Sequence, residues 1–181
     1  MKLFQHRHIC LFSIFLFAGI TVFAQQPVLK KPVVKKPIAS LYTVKTFENG
    51  IKLKIKGFKV KGAYLLFDDD TKVPANNTVE INQRVNMLIV LDNGFVAENG
   101  MKYPGASEKI VLSNGYKVLE TGDLFTAYDS TGVKPEDANY IILKAVITQL
   151  ENKKNHVIVS FRVWDKKGPD EITGSYKLFI K

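Results

Sequence analysis

His156-Val157-Ile158-Val159-Ser160-Phe161-Arg162-Val163-Trp164, the loop Asp165-Lys166-Lys167-Gly168-Pro169-Asp170-Glu171, and Ile172-Thr173-Gly174-Ser175-Tyr176-Lys177-Leu178-Phe179-Ile180 decide the fold. In the first run Val157, Val159, Phe161 and Val163 alternate with Ile158, Ser160, Arg162 and Trp164, the period of two of a β-strand. The second run alternates again, with Tyr176, Leu178 and Ile180 on one side. Two such runs joined by a turn-rich segment make a β-hairpin. Both of its faces carry apolar residues, so other strands must cover at least one of them. The hairpin also holds the single Trp and the one His outside residues 1–24.

Working back from it, turn signals cut the chain into short strands from Leu41 onward. Asn-Gly occurs at 49–50, 93–94, 99–100 and 114–115. Asn and Gly both tolerate the positive φ that a type I′ hairpin turn requires. Three of these dipeptides lie between β-prone runs and predict hairpins: Tyr42–Phe47 with Ile51–Lys56, Val85–Leu91 with Phe95–Ala97, and Lys109–Ser113 with Tyr116–Glu120. Tyr140–Thr148 is expected to pair with His156–Trp164 across Gln149–Asn155. Helix is nearly absent, with one or two turns at Gly122–Tyr128 and another at Lys134–Ala138. The pattern predicts an all-β, antiparallel sandwich, immunoglobulin-like or similar, of about 8–9 short strands joined by Asn-Gly hairpins.

Residues 41–181 are assigned to that single domain. Met1–Ala24 has Lys2 and Arg7, an apolar run from Ile9, and a small-residue end, the plan of a secretory signal peptide cleaved after Ala24. Its apolar run is shorter than the roughly 20 residues of a spanning helix, and no later stretch approaches one. The expected location is therefore secreted or periplasmic, in or outside a bacterial envelope. Residues 25–40 hold Pro27, Pro32 and Pro37 among paired lysines, which suits an extended linker. Cys10 is the only cysteine and lies in the leader, so the remaining chain has no disulfide and no thiol-based metal site. The formal charge of +9 is concentrated toward the N-terminus: 24 basic and 17 acidic residues follow the leader, and 38–181 carries only +3. That balance does not argue for nucleic acid.

Four constellations carry candidate chemistry. In Lys52-Leu53-Lys54-Ile55-Lys56-Gly57-Phe58-Lys59-Val60-Lys61 the lysines alternate with apolar residues, and the phase slips at Gly57 as it does at a β-bulge. Lys52, Lys54, Lys56, Lys59 and Lys61 are thereby placed on one solvated stripe. The plainer reading is protection of a strand against edge-to-edge aggregation; the functional one is an anionic glycan or another anionic envelope component. With only Arg84 and Arg162 after the leader, a nucleic-acid groove is the weakest reading. Trp164 and Tyr176, with Tyr103 and Tyr116, suit sugar stacking if exposed and cross-strand core packing if not.

The acids collect in turns: Asp68, Asp69 and Asp70; Asp123 and Asp129; Glu136 and Asp137; Asp165, Asp170 and Glu171. Calcium takes six to eight oxygens, which such loops supply when they share one end of a sandwich. Val163-Trp164-Asp165 through Asp170-Glu171-Ile172-Thr173-Gly174 resembles the hydrophobic-Asp-X-Asp loop of synaptotagmin-type calcium and phospholipid-binding sandwiches. Asp129-Ser130-Thr131-Gly132, with Asp137 and Tyr140 after it, is similar to that family's Asp-X-X-Gly loop. Lys167 stands in place of the second aspartate, an extra residue separates Ile172 from Gly174, and the two segments lie closer in sequence than in the family. The resemblance implies calcium ligands at Asp129, Asp165 and Asp170, and the acidic run Asp68, Asp69 and Asp70 would add to them; the resemblance covers loops only and carries no fold with it. Asp also favours turns in any soluble β-protein. Asn76-Asn77-Thr78 and Asp129-Ser130-Thr131 are nominal glycosylation signals.

Catalytic constellations are sparse, because one His, no Cys and two Arg after the leader leave little for a triad or a histidine–metal cluster. The resulting expectation is an exported, non-catalytic binding or structural module that takes a glycan, an envelope component or a protein and needs no cofactor. The alternatives are a calcium-dependent domain on the Asp-rich loops and a small carboxylate-dependent hydrolase.

Overall fold

In a computed structural model that describes residues 42–148 and 156–181, the final hairpin lies in the middle of the larger of two facing sheets. The described residues belong to one unit, Ile38–Lys181. The expected leader at 1–24, the expected linker at 25–40 and the expected connection at 149–155 lie outside the described residues. No α-helix occurs among them; three single 3-10 turns, at Glu48–Gly50, Thr126–Tyr128 and Asp137–Asn139, interrupt the strands.

In chain order the strands are β1 (Thr43–Thr46), β2 (Lys52–Lys56), β3 (Lys59–Leu66) and β4 (Thr78–Val79). Then come β5 (Arg84–Asn93), β6 (Ala97–Glu98), β7 (Met101–Lys102) and β8 (Pro104–Leu112). The last four are β9 (Lys117–Glu120), β10 (Tyr140–Val146), β11 (His156–Asp165) and β12 (Glu171–Ile180). The large sheet has the order β1-β2-β12-β11-β8-β9, and the small one β10-β5-β3. Pairing is antiparallel except for the two-residue β4, which runs parallel to the end of β12. Setting aside the two-residue strands β4, β6 and β7, nine remain, so the expected all-β sandwich of 8–9 strands is present.

Alternation places the core. Val157, Val159, Phe161 and Val163 of β11 and Ile172, Tyr176, Leu178 and Ile180 of β12 turn inward. They meet Met87 and Ile89 of β5 and Ile141 and Leu143 of β10 in one buried cluster. Burying such side chains stabilises by about 1.5–3 kcal/mol each, which is how a chain whose only cysteine is Cys10 holds this sandwich without a disulfide. Gly174 leaves room in that layer: a Cβ there would stand 2.3 Å from Phe161 Cζ and 2.6 Å from Leu53 Cδ2.

The Asn-Gly turns divide. Asn49 and Gly50 both have positive φ, 58° and 64°, and close β1 onto β2 as expected. At 114–115 only Gly115 has positive φ, yet the β8–β9 hairpin forms. Asn93-Gly94 makes no hairpin. β5 stays paired to β3 through Asn93, and Phe95 dives into the core against Phe58, ring centroids 4.8 Å apart. Asn99-Gly100 instead closes the small β6–β7 hairpin.

Two further expectations are corrected. Strand β10 pairs with β5 rather than with β11; the two lie in opposite sheets, and their apolar inner residues meet across the core instead of side by side. Gly57 is no bulge within one strand: at φ 77° it is the corner where the chain passes from β2 in the large sheet to β3 in the small one. A bulge and a corner both shift the phase of alternation by one, so the local pattern is the same.

Candidate functional site

The corner at Gly57 splits the lysine stripe. Lys52, Lys54 and Lys56 stand on the outer face of the large sheet, while Lys59 and Lys61 stand on β3 in the small one. Lys61 there is paired with Asp92 at 2.8 Å, which raises the lysine pKa and lowers that of the aspartate. The structure therefore brings together three of the five lysines.

The strand register aligns what else shares their face. Lys54 lies in a row with Thr173, Arg162 and Ser107, and Lys52 in a row with Ser175, Ser160 and Lys109. Small hydroxyl residues make up most of the centre of the face, with Arg162 among them and lysines toward both margins. The small central side chains leave three adjoining hollows of about 470, 300 and 320 Å³. The first and second share Lys52 and Ser175, the second and third share Ser160 and Thr173, so they form one trough running diagonally over β2, β12, β11 and β8.

Charge along this trough is unevenly committed. Lys109 and Lys117 meet Glu120 at 3.6 and 2.7 Å. Arg162 donates from Nε and Nη2 to Glu171 Oε2, at 3.1 and 2.9 Å, while Tyr42 donates to Oε1 at 2.7 Å. Those bonds, from Tyr42 first and Arg162 next, hold the Glu171 carboxyl below its usual range. Among the described residues Lys52, Lys54 and Lys56 have no carboxylate partner in an ion pair; Lys54 Nζ lies 4.1 Å from the centre of the Tyr42 ring. Lys56 lies opposite Glu171 and outside the hollows, so Lys52 and Lys54 are the cations that give one wall of the trough its positive charge.

The two aromatic candidates separate. Trp164 points outward one row beyond Arg162, whose guanidinium stands 5.0 Å from the centre of the indole, and it is half-buried. It borders the trough rather than lining it. Tyr176 faces the core and is 1 % exposed, so although it borders the first hollow it offers no ring for stacking. Its hydroxyl has no hydrogen-bond partner, and burial, with the nearby Glu108 charge, pushes the phenol pKa up. The alternation of Ile172, Tyr176 and Leu178 already carries that inward placement.

The acidic residues are dispersed. Asp68, Asp69 and Asp70 follow the far end of β3, whereas Asp165 and Asp170 flank the hairpin turn beside Gly57, before β3 begins. Eight residues of strand separate the two groups, on the order of 25 Å. Asp68 accepts from Arg84 at 2.9 Å and Asp69 from Thr71 at 2.6 Å. Asp165 is buried and accepts from the Val96 and Lys167 N–H groups, at 2.8 and 3.0 Å. Asp129 pairs with Lys166, whose ammonium also meets Asp123 at 2.5 Å. Among the described residues no three His, Cys, Asp or Glu side chains gather as a metal site requires.

Sequence reasoning passed over one acid. Glu108 lies on β8 between Ser107 and Lys109, yet its phase is that of buried Ala106 and Ile110, and it is itself buried. Burial pushes its carboxyl up to about 6, and Oε1 has no hydrogen-bond partner. Glu120, by contrast, is opposite Lys109 on the outer face. Strand phase puts the two side chains on opposite faces of the sheet, although both residues border the third hollow.

No protein-family model matches this chain, and no curated protein matches it. Among solved structures the chain is similar to the C-terminal domain of wzt, at TM-score 0.43 and 12% identity, over 80% of this chain and 79% of that one. It is also similar to the PmoD soluble domain from Methylocystis sp., at TM-score 0.37 and 10% identity, over 76% of this chain and 96% of that one. Among the described residues no helix is long and apolar enough to cross a membrane.

Proposed function

We propose that this chain is an exported, non-catalytic β-sandwich module that binds an acidic glycan of the cell envelope along the outer face of its large sheet. The observation that carries the reading is the trough: a floor of Ser107, Ser160, Thr173 and Ser175 hydroxyls beside the uncommitted ammonium groups of Lys52 and Lys54. Hydroxyls both donate and accept, which suits sugar hydroxyls. A row of cations selects for carboxylates or phosphates and speeds encounter with them. An open trough several strands long suits an extended polymer better than a small compact ligand, for which enclosed pockets are the rule. Export rests on the signal-like pattern of Met1–Ala24. The reading needs no cofactor and no turnover.

Alginate, a polyuronate, tests it against neutral dextran and against polyaspartate, which carries charge without sugar hydroxyls. Alginate is expected to bind, with affinity falling as salt rises, and the two other polymers to bind weakly. Lys52→Glu with Lys54→Glu should weaken alginate at least tenfold, while Lys59→Glu with Lys61→Glu, on the other sheet, leaves it unchanged. Equal losses from both pairs, or polyaspartate binding as well as alginate, would leave only a general attraction of anions to a basic protein and overturn the reading.

A further inference from the structure

The four edge strands of the two sheets are not equally guarded. Natural sheets block their edges with short strands, lysines and bulges, since an open edge offers unpaired N–H and C=O groups to any extended chain. β1 has four residues, all exposed, with Lys45 among them. β9 also has four, carries Lys117 and Glu120, and joins β8 through an irregular register. β3 carries Lys59 and Lys61 and has two register shifts against β5. β10 has a single lysine, Lys144, and neither a short length nor a bulge. It runs seven residues in unbroken register with β5, contains no proline, bears one charge at Lys144, and pairs on one side only among the described residues.

Its outward side chains add to the exposure. Tyr140, Ile142 and Val146 are 59, 47 and 44% exposed. Behind them on the same face Val90 and Leu88 of β5 and Tyr64 of β3 continue the apolar rows. From this geometry we infer that two copies of this chain join edge to edge through β10, antiparallel about a two-fold axis at Ile142, so that two three-stranded sheets become one of six.

The charge on β10 selects both the occupant and the register. An antiparallel edge pairs with itself through a closed, isologous contact. With Ile142 opposite Ile142 of the partner copy, each Tyr140 faces a Lys144. That pairing of ammonium and phenol ring recurs within the chain at Lys54 with Tyr42, Lys72 with Tyr64 and Lys167 with Tyr103, at 4.1, 5.4 and 4.6 Å. The same register keeps the two Lys144 four positions apart along the strands, about 14 Å. Sliding by two residues to set Ile142 against Lys144 halves that spacing and loses both ring contacts. The contact is independent of what the trough binds, because the trough lies on the other sheet.

The absence of cysteine after residue 10 gives a direct test. In the chain carrying Cys10→Ser, Ile142→Cys introduces a sole thiol at the proposed axis. Directly opposed antiparallel residues have Cα atoms about 4.5–5.5 Å apart, inside the range a disulfide spans. Mild oxidation is expected to give a covalent dimer from Ile142→Cys and none from Val44→Cys on β1. Sedimentation of the wild-type chain should show mass rising from one to two chains with concentration, and Ile142→Lys should stay monomeric with an unchanged melting temperature. A wild-type chain that stays monomeric at every concentration would leave the edge for a strand of another protein and overturn the proposal. So would oxidation that links Val44→Cys as readily as Ile142→Cys.

Discussion

The indole of Trp164 occupies the space over Gly105 where any other residue would carry its Cβ: that atom would stand 2.2 Å from Cε2 and 2.4 Å from Nε1. The two residues face each other across the β8–β11 pair. The absence of a side chain on β8 is thus what lets the one tryptophan settle onto the sheet, with Arg162 against it. Gly105→Ala should lift the indole into solvent. The expected outcomes are a red-shifted emission from the single fluorophore and a loss of about 1–3 kcal/mol, the usual range for overpacking. Unmoved emission together with unchanged stability would show that Trp164 does not rest there.

Glu108 predicts an unusual pH dependence. Among the described residues it is the one buried carboxylate whose pKa burial raises from 4.5 to about 6, and it faces the core, with the unpartnered hydroxyl of Tyr176 nearby. A folded-state pKa above the unfolded one means that the folded chain holds the proton more tightly. Stability from this group is therefore complete below the unfolded pKa and is lost as pH rises through the folded one. The difference of roughly 1.5 units corresponds to about 2 kcal/mol. Glu108→Gln should exceed the wild-type chain by about that amount near neutral pH and match it near pH 4, in urea melts run at both. A variant less stable than wild type at neutral pH would mean that the carboxylate has a partner in the folded chain.

These two relationships differ in how legible they were. The alternation of Val157 to Val163 and of Tyr176 to Ile180 was enough to place the final hairpin and its inner face. The same rule, applied to Ala106, Glu108 and Ile110, puts Glu108 inward, and only its charge suggested otherwise. Partnership between strands is another matter. Alternation specifies which face of a strand is buried but not which strand lies beside it, so the order of the chain suggests β11 as the neighbour of β10 when the neighbour is β5. Gly57 shows the same limit: its phase slip was legible, but two sheets rather than one are needed to see that Lys59 and Lys61 leave the stripe. The trough was out of reach for that reason, since Ser107, Ser160 and Ser175 come from three strands whose order follows from core packing.

Gly57 itself can be tested by a cycle. Its φ of 77° is left-handed, and a Cβ there would stand 1.9 Å from Asp170 Oδ1. Gly57→Ala therefore combines about 1–2 kcal/mol of backbone cost with a clash against a carboxylate. Burial, and after it the nearby Asp165 charge, already raises the pKa of Asp170. Adding Asp170→Ala should remove the clash and leave the backbone cost, so the double variant should melt above Gly57→Ala and below Asp170→Ala. Strict additivity of the two substitutions would show that they do not meet.

The ammonium of Lys166 holds a segment that has little regular structure of its own. It lies between Asp123 and Asp129 and donates to the Phe125 carbonyl at 3.3 Å, while Asp123 Oδ1 accepts from the Ala106 and Phe125 N–H groups at 3.1 and 2.9 Å. One cation thus ties residues 123–129 to the final hairpin, and through Asp123 to β8. Burial alone would raise the Asp123 pKa, but the Lys166 bond and the two N–H groups outweigh it and leave the carboxyl below its usual range. Lys166→Met keeps the apolar stem and removes the charge, leaving Asp123 mostly covered and short of its cation. A pair this far from solvent falls between surface and buried salt bridges, so a loss of about 1–3 kcal/mol is expected at neutral pH. Because the folded pKa of Asp123 is depressed, its contribution is present above the unfolded value and disappears as pH falls through the folded one. The gap between wild type and Lys166→Met in urea melts should therefore narrow in acid, and Asp123→Asn added to Lys166→Met should recover part of the loss. A gap that ignores pH, with no recovery in the double variant, would mean that Lys166 acts through its packed stem and not through its charge.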